Sequence, residues 1–273
     1  MRVLLTNDDG IDSPGLIELA QTFLMHGAHV DVVAPSVNQS AMSTAVNILT
    51  PVTLAQLDEW PDRARCKAET VIALDASPAT CIVAALNTPL VERPEIVLSG
   101  INAGPNLGLD IFTSGTVGGA RMANLLGLPS IAVSTFYPPN ADWQRAAELA
   151  FALAETLLAE NLIDPLLWNL NVPPLPQSIG VAPPARFSAF QWTRPFVDPQ
   201  TDQLRVRLPH EAPAPPPPGT DAWYFTRGWA SLSALPLDAA LVCDPRSATV
   251  ADRLAEKLLT RSGSTSDLPP ESS

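Results

Sequence analysis

At 273 residues the chain has room for one or two domains and for a core that hides roughly 75% of the surface an unfolded chain would expose. Hydrophobic residues make up 46% and charged residues 16%, which excludes a disordered, solvating polymer. A net charge of −12 repels a long polyanion and argues against nonspecific nucleic-acid binding, yet leaves room for a small phosphorylated ligand held by a local cation or a helix N-terminus.

In chain order, the first half alternates strand and helix patterns. Arg2–Thr6 reads as a short buried strand. Pro14 and Gly15 open a helix whose Leu16, Leu19, Ala20, Phe23 and Leu24 recur at spacings of 3 and 4, and Gly27 stops it. His29–Ala34 and Thr70–Leu74 predict further strands, followed by a helix from Pro78 to about Asn87. Glu95–Ser99 predicts a strand, Val117–Leu126 a helix and Ser130–Ser134 a strand. Asp142–Glu160 has the longest helical period, with Trp143, Ala146, Ala150, Leu153 and Leu157 inward, and Leu166–Val172 closes the series. Such alternation predicts an α/β fold, a parallel sheet with helices on both faces, whose ligands sit beyond the carboxyl ends of the strands.

Composition shifts at Pro173. Of 29 prolines, 13 lie between Pro173 and Pro218, and proline cannot donate to a sheet ladder, so long central strands are not expected there. The pattern predicts a catalytic core over 1–184 and a proline-rich antiparallel β extension with a C-terminal helix over 185–260. A small, polar tail over 261–273 is expected to be disordered. Within the extension, Leu204–Leu208 and Trp229–Ser233 read as strands, Pro213–Gly219 as a stiff spacer and Ser247–Leu259 as the helix. Trp192, Phe196, Trp223, Tyr224, Phe225 and Trp229 suit either an interface between subunits or packing on the parent domain. Cys66, Cys81 and Cys243 are scattered and form no pair, which favours a reducing, cytoplasmic setting. No 18-residue apolar run predicts a membrane span, and Asp8 and Asp9 interrupt any leader-like run at the start.

The candidate chemistry lies just after the strands. Asn7-Asp8-Asp9-Gly10 puts two carboxylates side by side, which repel unless a proton or cation relieves them; a divalent metal with oxygen ligands fits, and a plain Asp-Gly turn is the competing reading. Ser40, in the polar loop after the second strand, is a further oxygen donor. Ser99–Gly108 carries Asn102 and Asn106 among glycines that permit close backbone approach. Thr113–Thr116 precedes a helix, where free N–H groups and hydroxyls favour an anion; a simple cap by Thr116 competes with that reading. Neither GxGxxG nor GK[ST] occurs, and His26, His29 and His210 all lie away from this cluster. Hard oxygen ligands therefore point to Mg²⁺, Mn²⁺ or Ca²⁺ rather than a histidine zinc site.

LLTNDDGIDSPGL, VVAPSVNQSA, SGINAGPNLG and SGTVGGA, in this order and spacing, resemble the SurE family (survival protein E, 5′/3′-nucleotidases). The likeness runs from Arg2 to about Val172, with a weaker echo over Thr220–Leu237. The resemblance implies a Rossmann-like fold, a dimer or tetramer built through the extension, and a metal-dependent phosphatase for nucleoside monophosphates. It implies metal ligation by Asp8, Asp9, Ser40 and Asn102, and phosphate contact by Ser114, Gly115 and Thr116 with Asn106 nearby. One divalent cation per chain, Mg²⁺ or Mn²⁺, is expected, with Asp8 orienting or deprotonating a water. Ala41, Ala45, Ala76 and Met122 depart from the family pattern without touching a ligand position. Three alternatives stay open: a phospho-aspartate phosphatase, which needs D-x-D where this chain has adjacent aspartates; a non-catalytic nucleotide-binding protein; and a phosphatase for another small phosphoester.

Overall fold

A computed structural model describes residues 1–58, 60, 68–162, 166–188, 196–198, 201, 203–205 and 215–237. The predicted helix at Ser247–Leu259, the polar tail, Cys66, Cys243, His210 and Trp192 lie outside these residues.

The first strand, β1 (Arg2–Thr6), is buried on both faces: Val3 and Leu5 join one core cluster and Leu4 the other. This two-residue period is what a sheet sandwiched between helix layers demands. Helix α1 (Pro14–Met25) starts at a Ser13 cap, whose Oγ accepts from the Leu16 N–H, and at Pro14, whose missing N–H costs nothing in a first turn. It turns Leu16, Leu19 and Phe23 onto the sheet, each such burial contributing roughly 1.5–3 kcal/mol. β2 (His29–Pro35) then runs parallel to β1. A short edge strand, β3 (Leu54–Gln56), lies antiparallel to β4 (Thr70–Leu74), which is itself parallel to β2. α2 (Pro78–Asn87) repeats the Ser-Pro start, with Ser77 capping the Thr80 N–H.

β5 (Ile96–Ala103) is longer than the sequence pattern predicts. Its pairing with β6 (Ser130–Thr135) shifts register between Ser99 and Asn102, so SGINA stays in the sheet past a bulge rather than leaving as a loop. A 3₁₀ turn at Gly108–Phe112 leads to α3 (Gly115–Leu125), which begins two residues before the predicted Val117 because Ser114, not Thr116, is the cap. α4 (Trp143–Ala159) and β7 (Leu166–Val172) complete the parallel set.

α1 and α4 cover one face and α2 and α3 the other. The main sheet runs β3-β4-β2-β1-β5-β6-β7 and then two further strands, β11 (Ala230–Pro236) and β8 (Ile179–Val181). Chain order reverses across the β1–β5 boundary, so the crevice for a ligand opens at the carboxyl ends of those two strands.

The strand expected at Trp229–Ser233 forms as β11 over Ala230–Pro236. β11 is antiparallel to β7 and parallel to β8, so residues 230–236 lie inside the main sheet. Met1–Leu237 is one compact unit, and the boundary expected at 184/185 falls within it. Ser231, Ser233 and Leu235 alternate inward along β7, the half-buried pattern of a strand with one face on the core. β9 (Phe196–Asp198) and β10 (Gln203–Arg205) form a separate antiparallel pair; Val206–Leu208 of the predicted strand Leu204–Leu208 lie outside the described residues. In α5 (Asp221–Phe225) and beyond, Tyr224 packs between Trp223 and Trp229, with centroids 5.0 and 5.6 Å away, and Phe225 stacks on Phe136 at 6.1 Å. These rings therefore pack against one another and against the main unit. Among the described residues, no helix is long and apolar enough to cross a membrane.

Candidate active site

Asn7, Asp8 and Asp9 leave the sheet at the end of β1. Asn7 is locked first: its amide donates to the Gly10 carbonyl at 2.9 Å and to Ser13 Oγ at 2.6 Å, tying the turn to the start of α1. Gly10 has φ +103°, and a Cβ there would press within 3.3 Å of the Val37 carbonyl carbon, so glycine lets the β1 and β2 loops touch.

Asp8 is 3% exposed and sits against the N-terminus of α3. Thr116 Oγ1 donates to Asp8 Oδ1, and the Thr116 backbone N–H also stabilises the carboxylate. A Cβ on Gly115 would lie 2.8 Å from the Asp8 Cβ and Oδ2, so only glycine allows this seat. Burial nevertheless dominates, pushing the Asp8 carboxyl up to about 6; the Thr116 bonds lower it and neighbouring Asp9 raises it again. Asp9 is half-buried. Its Oδ1 accepts from Asn38 Nδ2 at 3.2 Å and its Oδ2 from the Ala103 N–H at 3.0 Å, while burial holds it above the ordinary carboxylate range.

The other predicted residues are drawn in by the same bonds. Asn38 Oδ1 accepts from the Ser40 N–H at 3.0 Å while its amide holds Asp9, and the Gln39 N–H donates to the Asp8 carbonyl at 2.6 Å. Exposed Ser40 thus follows Gln39, which bonds the Asp8 backbone, and lies two residues from Asn38, which bonds the Asp9 carboxylate. Asn102 precedes Ala103, and its amide donates to the Gly104 carbonyl at 2.7 Å, leaving its Oδ1 as the side-chain acceptor. Ala41, next to Ser40, holds φ +66°, a left-handed conformation that glycine adopts without strain. The departure from the family pattern at that position is therefore a backbone matter.

Two predicted phosphate contacts have additional work. Thr116 directs both its donors at Asp8, which leaves the Gly115 N–H and the Ser114 hydroxyl proton as the donors at the tip of α3; Ser114 Oγ meanwhile accepts from the Val117 N–H at 3.1 Å. Asn106 is buried and built into the scaffold. Its amide donates to Ser134 Oγ at 2.9 Å, its backbone N–H to Asn171 Oδ1 at 2.7 Å, and its carbonyl accepts from Asn169 and Asn171. Its side-chain oxygen is the part left to meet a ligand.

Sequence reasoning passed over Asn38, the Asn169–Asn171 pair and Asp221. The i, i+2 spacing of Asn169 and Asn171 on one strand face was the available signal for the pair. Asp221 is buried, and it accepts from the Gly108, Ala185 and Ala222 N–H groups at 2.8, 2.8 and 2.7 Å, pinning the Asn106–Gly108 loop from behind.

No Lys or Arg occurs in 7–15, 36–48 or 99–116, and among the described residues no ion pair reaches Asp8 or Asp9. Nor does any group of three or more His, Cys, Asp or Glu form a metal cluster among the described residues. A buried and a half-buried carboxylate of like charge, without a basic partner among the described residues and with serine and asparagine oxygens nearby, fit a hard divalent cation better than a soft one.

A doubly wound α/β protein with an acidic, all-oxygen site at its switch point, backed by a helix N-terminus, is the class this architecture defines. Residues 3–198 match the family model for survival protein SurE. The chain is 38% identical over 211 residues to the 5′-nucleotidase SurE of Prochlorococcus marinus, covering 77% of this chain and 74% of that one. It is 44% identical over 178 residues to the 5′-nucleotidase SurE of Anaeromyxobacter dehalogenans, covering 64% and 65%. A crystal structure of the SurE protein from Aquifex aeolicus superposes with a TM-score of 0.72 at 27% identity, covering 94% of this chain and all of that one. The chain belongs to the SurE family.

Proposed function

We propose that the chain is a nucleotidase that hydrolyses nucleoside monophosphates to nucleoside and phosphate, and that Asp8 and Asp9 are its central residues. The observation that carries this reading is the uncompensated carboxylate pair at the β1–β5 switch point, in a chain whose relatives are 5′-nucleotidases.

Asp8, Asp9, Ser40 and Asn102 would hold one divalent cation, with Mg²⁺ or Mn²⁺ suited to such donors. When bound, an ion of this kind neutralises phosphoryl charge and lowers the pKa of water. The protein's own groups do the rest. The Gly115 N–H and Ser114 hydroxyl donate to phosphoryl oxygens, and their position at the end of α3 adds the helix dipole. Asp8, held by Thr116, orients a water in line with the scissile P–O bond and accepts its proton. Water oxygen bonds to phosphorus, the ester oxygen leaves with the bonding pair and takes up a proton, and nucleoside and inorganic phosphate result. Asp9, clamped by Asn38 and Ala103, keeps its charge fixed through the cycle.

We further propose a homo-oligomer, dimer or tetramer, working in the cytoplasm; the exposed Trp229 and the β8 edge with Ile179 and Val181 are the surfaces that support self-association. A chain cut after Pro184 would lose β11 from the sheet, so assembly is better tested on the intact chain. The direct test of the enzymatic reading is phosphate release from a panel of mononucleotides with Mg²⁺, Mn²⁺ or chelator. Release with either cation and loss with chelator is expected. No release from any mononucleotide would overturn the reading.

A further inference from the structure

Beside Asp9 opens a cleft of about 370 Å³, lined by Asp9, Gly10, Asp12, Ser13, Pro14, Gly15, Ser36, Ala103, Pro138 and Trp143. That volume falls in the range of small-molecule sites. Trp143 begins α4, and its half-buried ring reaches across to α1, where a Cβ on Gly15 would come within 2.9 Å of Cζ3. A helical period assigns this residue to the core; the structure instead leaves part of it at the cleft.

We infer that this cleft is the nucleoside subsite, with the substrate base lying against Trp143 and the ribose between it and Asp9. The inference deepens the nucleotidase reading and rests on it. Three observations carry it. Asp9 and Ala103 belong both to the carboxylate site and to the cleft wall, so a phosphomonoester held at the first projects its leaving group into the second. Trp143, Pro138, Pro14 and Ala103 give a mostly apolar wall for a flat ring, while Asp12 and Ser36, both exposed, supply acceptors for sugar hydroxyls or a base amino group. Among the described residues no Lys or Arg lines the cleft, so a run of further phosphates would face Asp9 and Asp12 without neutralisation. The occupant is therefore a nucleoside rather than a longer phosphate chain.

The test compares kcat/KM for AMP with that for ribose 5-phosphate, which carries the same phosphoester without a base, in wild type, Trp143→Ala and Ser36→Trp. Ser36→Trp fills the cleft from an exposed position and keeps the test alive should Trp143→Ala fold poorly. Wild type is expected to favour AMP. Either substitution should cut that preference about tenfold, the scale on which removing one base-stacking ring acts. Ligand-observed NMR with adenosine should show the same weakening without any turnover. Equal losses for both substrates, an unchanged ratio in the variants, or a wild type indifferent to the base would overturn the inference while leaving the nucleotidase reading intact. Failure to release phosphate from either substrate would overturn both.

Discussion

The two ends of β1 treat buried carboxylates in opposite ways. At the amino end, Asp31 is 2% exposed and Arg2 meets it at 3.1 Å, while the same guanidinium reaches Glu69 at 2.7 Å and Glu92 at 3.0 Å. At the carboxyl end, Asp8 is equally buried, stands beside a second carboxylate and, among the described residues, meets no cationic side chain. Burial leaves both Asp8 and Asp31 raised; Thr70 and Arg2 offset part of it at Asp31, whereas at Asp8 the Thr116 bond offsets part of it and the Asp9 charge adds to it. β1 thus begins at a guanidinium shared among three carboxylates and ends at a carboxylate pair that no described cationic side chain meets. A structural ion network has its cation built in, whereas perturbed carboxylates without one at a switch point mark a candidate functional site.

The sharpest way to break this contrast is Asp9→Asn. Phosphate release should fall by about a thousandfold or more, since half of the negative pair is gone, while the fold survives. A variant as active as wild type would remove Asp9 from the chemistry. At the other end, Arg2→Met should do the reverse. Unfolding in urea should show a loss of roughly 2 kcal/mol, less than for a fully buried pair because Arg2 and Glu92 meet solvent, with activity per folded molecule intact. Reduced kcat in well-folded Arg2→Met would blur the division between the ends.

Thr116→Val tests the bond that seats Asp8. It should lower kcat about tenfold and move the acidic limb of the pH–rate profile upward, because a hydrogen bond to the ionised carboxylate is lost. The smallest effect concerns pH. In chelator, Asp8 titrates near 6 when folded and near 3.8 when unfolded, so the folded chain binds more protons between those values. Its contribution to stability is greatest at low pH and fades as pH rises through 6. Lowering pH from 7 to 5 should therefore add about 1 kcal/mol from this group, seen as a higher Tm of wild type relative to Asp8→Asn. Mn²⁺ should reverse the trend, stabilising more at pH 7 than at pH 5. A Tm difference flat in pH would show that Asp8 is not held above its ordinary range.

Much of the parallel sheet is legible in the sequence because each strand there is a short apolar run bounded by Gly, Pro or a helix cap. Ser13-Pro14 and Ser77-Pro78 both start helices where local chemistry alone predicts them. The strand-end rule then locates Asp8, Asp9 and Asn102 without any tertiary information. What stayed hidden depends on contacts distant in sequence. β11 joins the sheet only because β7 offers it an open edge, and no local period near Pro173–Pro218 announces that. Exposed β3 has no hydrophobic alternation to read. Thr116 looks like a cap or a phosphate donor until Asp8, 108 residues away, is placed against it. Trp143 fits the core period of its helix, and only the approach of Gly15 on α1 shows where its ring ends up.

The central claim is that the unbalanced pair at the end of β1 binds a divalent cation. Anomalous diffraction from a crystal soaked in Mn²⁺ addresses it without reference to turnover. A single strong peak within bonding distance of Asp8 and Asp9 carboxylate oxygens, absent from an Asp9→Asn crystal, is the predicted result. Ordered, inward-facing Asp8 and Asp9 with no peak between them at saturating Mn²⁺ would contradict the account.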